Sequence, residues 1–350
     1  MIRYILLWAA LLSSFAQAGS ARRAEEIVAN YERSVSQWSR ELKAADSPEL
    51  QEQVWARRPD ANAFGVEIWG QLQGSLREEW MLSYAPSFLE LAPAFALKPR
   101  NGVVPSRQIV KAVELFHLRS PQVGRLCLAL TVFPDPETLA TIEKIAASTS
   151  DQKVQGQAAL AQAFLLKNLG DEGENMKKRL ELLREAIIKS ADVRVGENTV
   201  ADLAESELFA IQNLRKGSEA PNLLGRDIAG RPMALHSMRG KVVVLVFWRS
   251  WMAEADRVLE ILQKFHREYQ GRPVELVGVA QMPSPLLRKL RADGTIPWRN
   301  FHDPENLLAK QYQVQEMPLV YVLDRKGMIQ YIGNPGSFVD LTVEALLADG

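Results

Sequence analysis

Hydrophobic and polar positions repeat with two different periods along this chain, and the change comes near residue 217. Before it, apolar residues recur at helical spacing. Ile27, Val28, Tyr31, Val35, Trp38 and Leu42 predict a helix over 24–45. Ser47-Pro48-Glu49 opens a second helix with an N-cap and a proline. The stretch 64–84 is expected to be helical despite Gly65, Gly70 and Gly74. Pro86, Pro93, Pro99 and Pro105 predict an irregular connection. Helices are expected over 107–118 and 123–132, followed by the breaker Phe133-Pro134-Asp135-Pro136, with Asp135 as N-cap. The pattern then becomes regular. Leu139, Ile142, Ile145 and Ala146 define one helix, 151–169 another, 174–190 a third and 200–214 a fourth. In the third, Leu180, Leu183, Ile187 and Ile188 form the expected apolar face.

After the Gly217-Ser218-Glu219-Ala220-Pro221 boundary the pattern turns to short apolar runs between helices. Val242 to Phe247 is unbroken, β-branched and too short for a typical helix. It reads as a strand buried on both faces. Val258, Leu259, Ile261, Leu262 and Phe265 then line one face of a helix, which places Trp251–Ala255 at its N-terminus. A turn at 227–232 separates two short extended runs. Strands are expected at 274–280, 319–323 and 328–332, with a hairpin turn at 324–327 and helices at 286–292, 304–312 and 339–347. The stretch 298–303 is read only as a lead-in to the helix at 304. Alternating strands and helices predict an α/β unit.

The motif at the first core strand carries a family resemblance. Phe247-Trp248-Arg249-Ser250-Trp251-Met252-Ala253-Glu254-Ala255-Asp256 resembles the F-W-A-x-W-C-x-x-C motif of thioredoxin-like proteins of the TlpA/ResA and AhpC/TSA (redoxin) group. Both tryptophans and the register are kept. The two cysteine positions are Met252 and Ala255. The resemblance extends over about 217–350 and implies a thioredoxin-like α/β domain there; with the helical pattern before it, the expected overall class is α + α/β, a helical N-terminal domain at 19–215 followed by the thioredoxin-like domain at 217–350. It also implies that Pro318, after Met317, is the group's cis-proline, and that the residue before it pairs its backbone with an extended peptide. The helices of the C-terminal half of the first domain resemble tetratricopeptide hairpins. No repeat period is evident, so a partner-binding solenoid and a plain helical bundle both stay open.

Composition narrows the function. The chain has 350 residues, 47% hydrophobic, and a formal net charge of zero. No global field points to nucleic acid. Lys98, Arg100, Arg107, Lys111, Arg119 and Arg125 form a local basic stretch broken only by Glu114, expected to be a solvated helical face. Arg3, the apolar run 5–15 and Ala16-Gln17-Ala18 read as a signal peptide over 1–18, cleaved after Ala18; an uncleaved anchor is the alternative. No later segment spans a membrane. A periplasmic or secreted location follows as an expectation.

One cysteine, Cys127, excludes an internal disulfide, and its apolar neighbours predict a buried, inert thiol. The four histidines show no metal spacing, so no metal and no cofactor are expected. Cu(I) held by Met252 and Met317 is the weakest reading, since two thioethers alone make a poor site. Thiol–disulfide exchange needs an attacking thiolate. Neither Met252 nor Ala255 supplies one, so no catalytic residue is assigned. Trp248, Trp251, Met252, Met317 and Pro318 are the candidate binding surface for a protein or peptide partner. Packing of the same side chains inside the protein is the competing reading. The expected function is a binding module or scaffold without redox turnover. A thiol-disulfide oxidoreductase or a peroxiredoxin-type antioxidant dependent on Cys127 is the alternative.

Overall fold

The computed structural model describes residues 19–97, 102–168, 173–250, 255–314 and 316–348. The expected signal peptide, Lys98, Arg100, and Trp251, Met252, Ala253 and Glu254 lie outside the described residues. Two compact units are present. One holds the residues up to Val35 together with Pro59–Glu205; the other holds Ser36–Arg58 together with the residues from Ser206 onward. A single division near residue 216 therefore leaves out the segment Ser36–Arg58, which groups with the C-terminal unit.

The helices in chain order are α1 (Ala21–Ala44), α2 (Pro48–Ala56), α3 (Ala61–Leu72), α4 (Met81–Leu91), α5 (Pro105–Ala112), α6 (Gly124–Ala129), α7 (Pro136–Ser148), α8 (Gln152–Lys167) and α9 (Gly173–Ser190). A ribbon of β1 (Arg194–Val195) and β2 (Asn198–Thr199) leads into α10 (Val200–Asn213). Two of the caps are those the sequence predicts. Ser47 accepts from the Leu50 N–H at 3.2 Å and Asp135 from the Thr138 N–H at 2.8 Å. Each satisfies a helix-end donor that would otherwise lack a partner.

The core of the first unit gathers Ile68, Leu72, Met81, Leu82, Phe88, Leu89, Ile109, Leu126 and Leu130, all at most 1% exposed. Three expectations change here. The run 64–84 is two elements, because the chain turns between Leu72 and Met81. Pro86 sits inside α4 instead of ending it, and buried Met81, Leu82, Ala85, Phe88 and Leu89 hold that helix together around it. The buried face of α9 carries Arg179, Leu182, Leu183 and Ala186, whereas Ile188 is 75% exposed. In the basic stretch, Arg107 pairs with Asp135 at 2.9 Å and with Glu137 at 3.0 Å.

The C-terminal unit continues with the hairpin β3 (Leu224–Arg226) and β4 (Pro232–Ala234), then β5 (Val242–Arg249), α11 (Ala255–Glu268), β6 (Val274–Gln281), α12 (Ser284–Ala292), β7 (Arg299–His302), α13 (Leu307–Gln311), β8 (Leu319–Leu323), β9 (Ile329–Gly333) and α14 (Ser337–Ala348). Five strands form one sheet in the order β7-β6-β5-β8-β9. β5 runs parallel to β6, and β6 to β7; β8 is antiparallel to both β5 and β9. β7 was read in the sequence only as a lead-in. It is a strand because Phe301 and Asn300 are buried against β6.

β5 is central and buried on both faces, as its unbroken apolar run predicts. Val242, Val244, Val246 and Trp248 enter one core layer with Val258, Leu262, Val339 and Val343 of α11 and α14. Val243, Leu245 and Phe247 enter the other, with Leu223, Met233, Ala309 and Tyr312. This is a thioredoxin-like α/β unit, with helices on both faces of a mixed sheet.

Candidate functional site

The site is assembled at the C-terminal end of β5. The antiparallel register pairs Leu319 with Phe247. The pairing ends there, and Met317 and Pro318 are the two residues that precede Leu319 in the chain. The Met317–Pro318 peptide bond is cis. Met317 is half-buried and packs against both core layers. Among the described residues, no hydrogen bond engages the backbone N–H or C=O of Met317. That leaves one donor and one acceptor beside the end of a strand, the pattern that an added extended segment requires.

Trp248 does not belong to this surface. It is fully buried, and its indole N–H donates to Asn300 Oδ1 at 3.1 Å. Asn300 donates in turn to the Trp298 carbonyl at 3.1 Å. Trp248 is thus a core residue that anchors β5 to β7, and a partner cannot touch it. Arg249 is half-buried at the strand end, where desolvation holds its guanidinium below its ordinary pKa. Ala255 is the first residue of α11 and packs against the core layer beneath it. Trp251 and Met252 lie outside the described residues.

Cys127 lies on α6 in the other unit and is fully buried. Its thiol faces the Val123 carbonyl at 3.6 Å, and burial pushes its pKa up to about 12. At neutral pH such a group is protonated and enclosed, the opposite of a reactive thiolate. Three histidines are engaged by main-chain carbonyls: His117 with Leu76, His236 with Ala220 and His302 with Met282. Among the described residues, no group of three or more His, Cys, Asp or Glu side chains is placed to hold a metal. No helix among them is long and apolar enough to cross a membrane.

One pair was not legible in the sequence. Ser250 follows β5 directly, and its hydroxyl donates to Gln51 Oε1 at 2.8 Å. The two residues are 199 positions apart. A glutamine on a short helix carries no local signal of such a contact.

Sheet order, with the cis bond at Met317–Pro318 just ahead of β8, defines the class, a thioredoxin-like fold. Residues 216–332 match the AhpC/TSA family. The chain is similar to the thioredoxin-like protein YneN of Bacillus subtilis, 26% identical over 123 residues, which span 34% of this chain and 71% of that protein. It is similar also to the thiol-disulfide oxidoreductase ResA of Geobacillus thermodenitrificans, 26% identical over 117 residues, 33% of this chain and 67% of the relative. Among solved structures, the thioredoxin domain of a thiol-disulfide oxidoreductase from Bacteroides vulgatus is 21% identical, with a TM-score of 0.34, over 39% of this chain and 99% of that one.

Proposed function

We propose that this protein is a redox-inactive member of the thioredoxin-like class that holds a protein or peptide partner, outside the cytoplasm, through the main chain at Met317–Pro318. The observation that carries the reading is the single cysteine, Cys127, buried in the helical unit with its pKa raised to about 12. Exchange requires a thiolate to attack and a second thiol to resolve the mixed disulfide. Binding requires neither. It needs only the backbone groups of Met317 and an adaptable apolar side chain beside them. The names of the relatives favour a second reading, thiol-disulfide exchange, in which Cys127 would be the only thiol available.

The test has two arms. Insulin-disulfide and hydroperoxide reduction are assayed with the wild-type protein and with Cys127→Ser. Neither is expected to turn over above background, and wild-type turnover abolished in Cys127→Ser would establish the second reading. A photo-crosslinking residue is then placed at Met317 and, as control, at the exposed Ile188. In the native host a discrete adduct is expected from position 317 and none from 188. Identical adducts from both positions would refute binding at this site.

A further inference from the structure

A recess of about 380 Å³ lies at the opposite end of the sheet from Met317. It is formed where β5, β6 and β7 begin and α11 ends, and all of its lining falls between residues 241 and 299. Its volume is at the small end of the range for ligand sites. Phe265, Leu276 and Trp298 line it from the core, each at most 5% exposed, and Val274 adds a half-buried apolar wall. Gly271, at φ 81°, turns the chain from α11 into β6 beside it, a backbone conformation that favours glycine.

The charges in this lining are uneven. Lys241, Arg272 and Arg299 share it with a single carboxylate, Glu275. Lys241 pairs with Glu275 at 2.7 Å. Arg272 grips Glu344 of α14 through both arms of its guanidinium, at 2.6 and 3.0 Å, and lies over the Tyr269 ring. These two cations are engaged by the protein and fix the walls. Arg299, the first residue of β7, is half-buried, and among the described residues its guanidinium has neither an ion pair nor a hydrogen bond. The residue before it, Trp298, carries an indole N–H that is buried without an acceptor among the described residues. The wall at 298–299 is thus short of acceptors. A partly desolvated guanidinium is best matched by an oxyanion in its planar fork. The apolar side chains beside it favour an anion with an apolar body over a bare ion.

We propose that this recess binds a small organic carboxylate, held by its carboxylate in the fork of Arg299 with its apolar body toward Phe265 and Val274. The site is separate from Met317, and its test needs no protein partner. The full chain is titrated with para-fluorophenylacetate, and binding is followed by fluorine NMR line broadening. A body of this size with one carboxylate is expected to bind with a Kd of about 1 mM. Acetate, which keeps the charge and drops the body, should compete about ten-fold less well. Arg299→Gln should weaken binding about ten-fold. Arg288→Gln, which removes the same charge from an exposed position of α12, should leave binding unchanged. Arg299→Lys keeps the charge without the fork and serves if the neutral variant does not fold; it should weaken binding several-fold. Absence of broadening at about ten times the expected Kd would overturn the site. Binding unaltered in the Arg299 variants, or lost equally in Arg288→Gln, would overturn its place in this recess. Acetate competing as well as the fluorinated acid would overturn the ligand class.

Discussion

Gly278 shows how little room lies behind the candidate site. A Cβ on this residue of β6 would fall on Asn300 Oδ1 and 2.8 Å from Trp248 Nε1. The hydrogen bond that holds Trp248 thus occupies the volume that only glycine leaves open. Gly278→Ala is expected to cost about 3 kcal/mol, because neither the buried indole nor the buried amide has space to retreat. Trp248→Phe should cost less, about 1–2 kcal/mol, by leaving Asn300 Oδ1 without its donor. Urea denaturation of the two variants checks both the size and the order of the losses. Trp248 also marks where reading residues one at a time fails. The run from Val242 correctly predicts a strand buried on both faces, and Trp248 continues its even-numbered, inward-facing side. Its aromatic character and its place in the motif point to the site instead. The inertness of Cys127 was legible, since apolar neighbours in a helical pattern predict burial.

At the scale of elements, the readable signals were those with a local cause. Asp135 is a clear case. The breaker before it and the apolar spacing after it place a helix start, and its carboxylate takes the Thr138 N–H at 2.8 Å. Arg107 approaches the same carboxylate at 2.9 Å, tying α5 to the start of α7. Asp135→Ala is expected to lower stability by about 1 kcal/mol through the lost cap, and Asp135→Asn to restore most of it, because asparagine caps comparably. Thermal melts of the two variants separate the cap from the partly exposed ion pair, which is worth little by itself. The elements that were not readable have non-local causes. Pro86 argued for a break, yet the burial of Phe88 and Leu89 outweighs the missing hydrogen bond. β7 is four residues long and mixed in polarity, and its pairing with Val277–Ala280 makes it a strand. Residue 188 was placed on the apolar face of α9 by spacing alone, whereas Arg179 and Leu182 are the ones buried.

For the whole molecule, the α/β half was legible because alternating buried strands and amphipathic helices leave few topologies. The grouping of Ser36–Arg58 with it was not, since a contact across 199 positions has no trace in local pattern. Met252 and Ala255 stand where the motif of the resembled group carries cysteines. Met252→Cys/Ala255→Cys, made in the Cys127→Ser background, is therefore expected to gain measurable insulin reduction over the parent. A folded variant with no gain would mean that the surroundings no longer activate a thiolate. The residues leading into the C-terminal unit do not hang free. Gly217 N–H donates to the Ile329 carbonyl at 2.7 Å, Ile329 N–H to Ser218 at 2.8 Å, and Ala220 N–H to Gly327 at 2.9 Å. They form a short selvedge along the outer side of β9, the last strand of the sheet. A truncation that begins at Pro221 strips this border and leaves unpaired amides along a strand that carries Ile329 and Ile332. Exposed edges of that kind recruit other strands. Such a fragment would be prone to clump at high concentration, whereas one begun ahead of Leu214 would keep its hem.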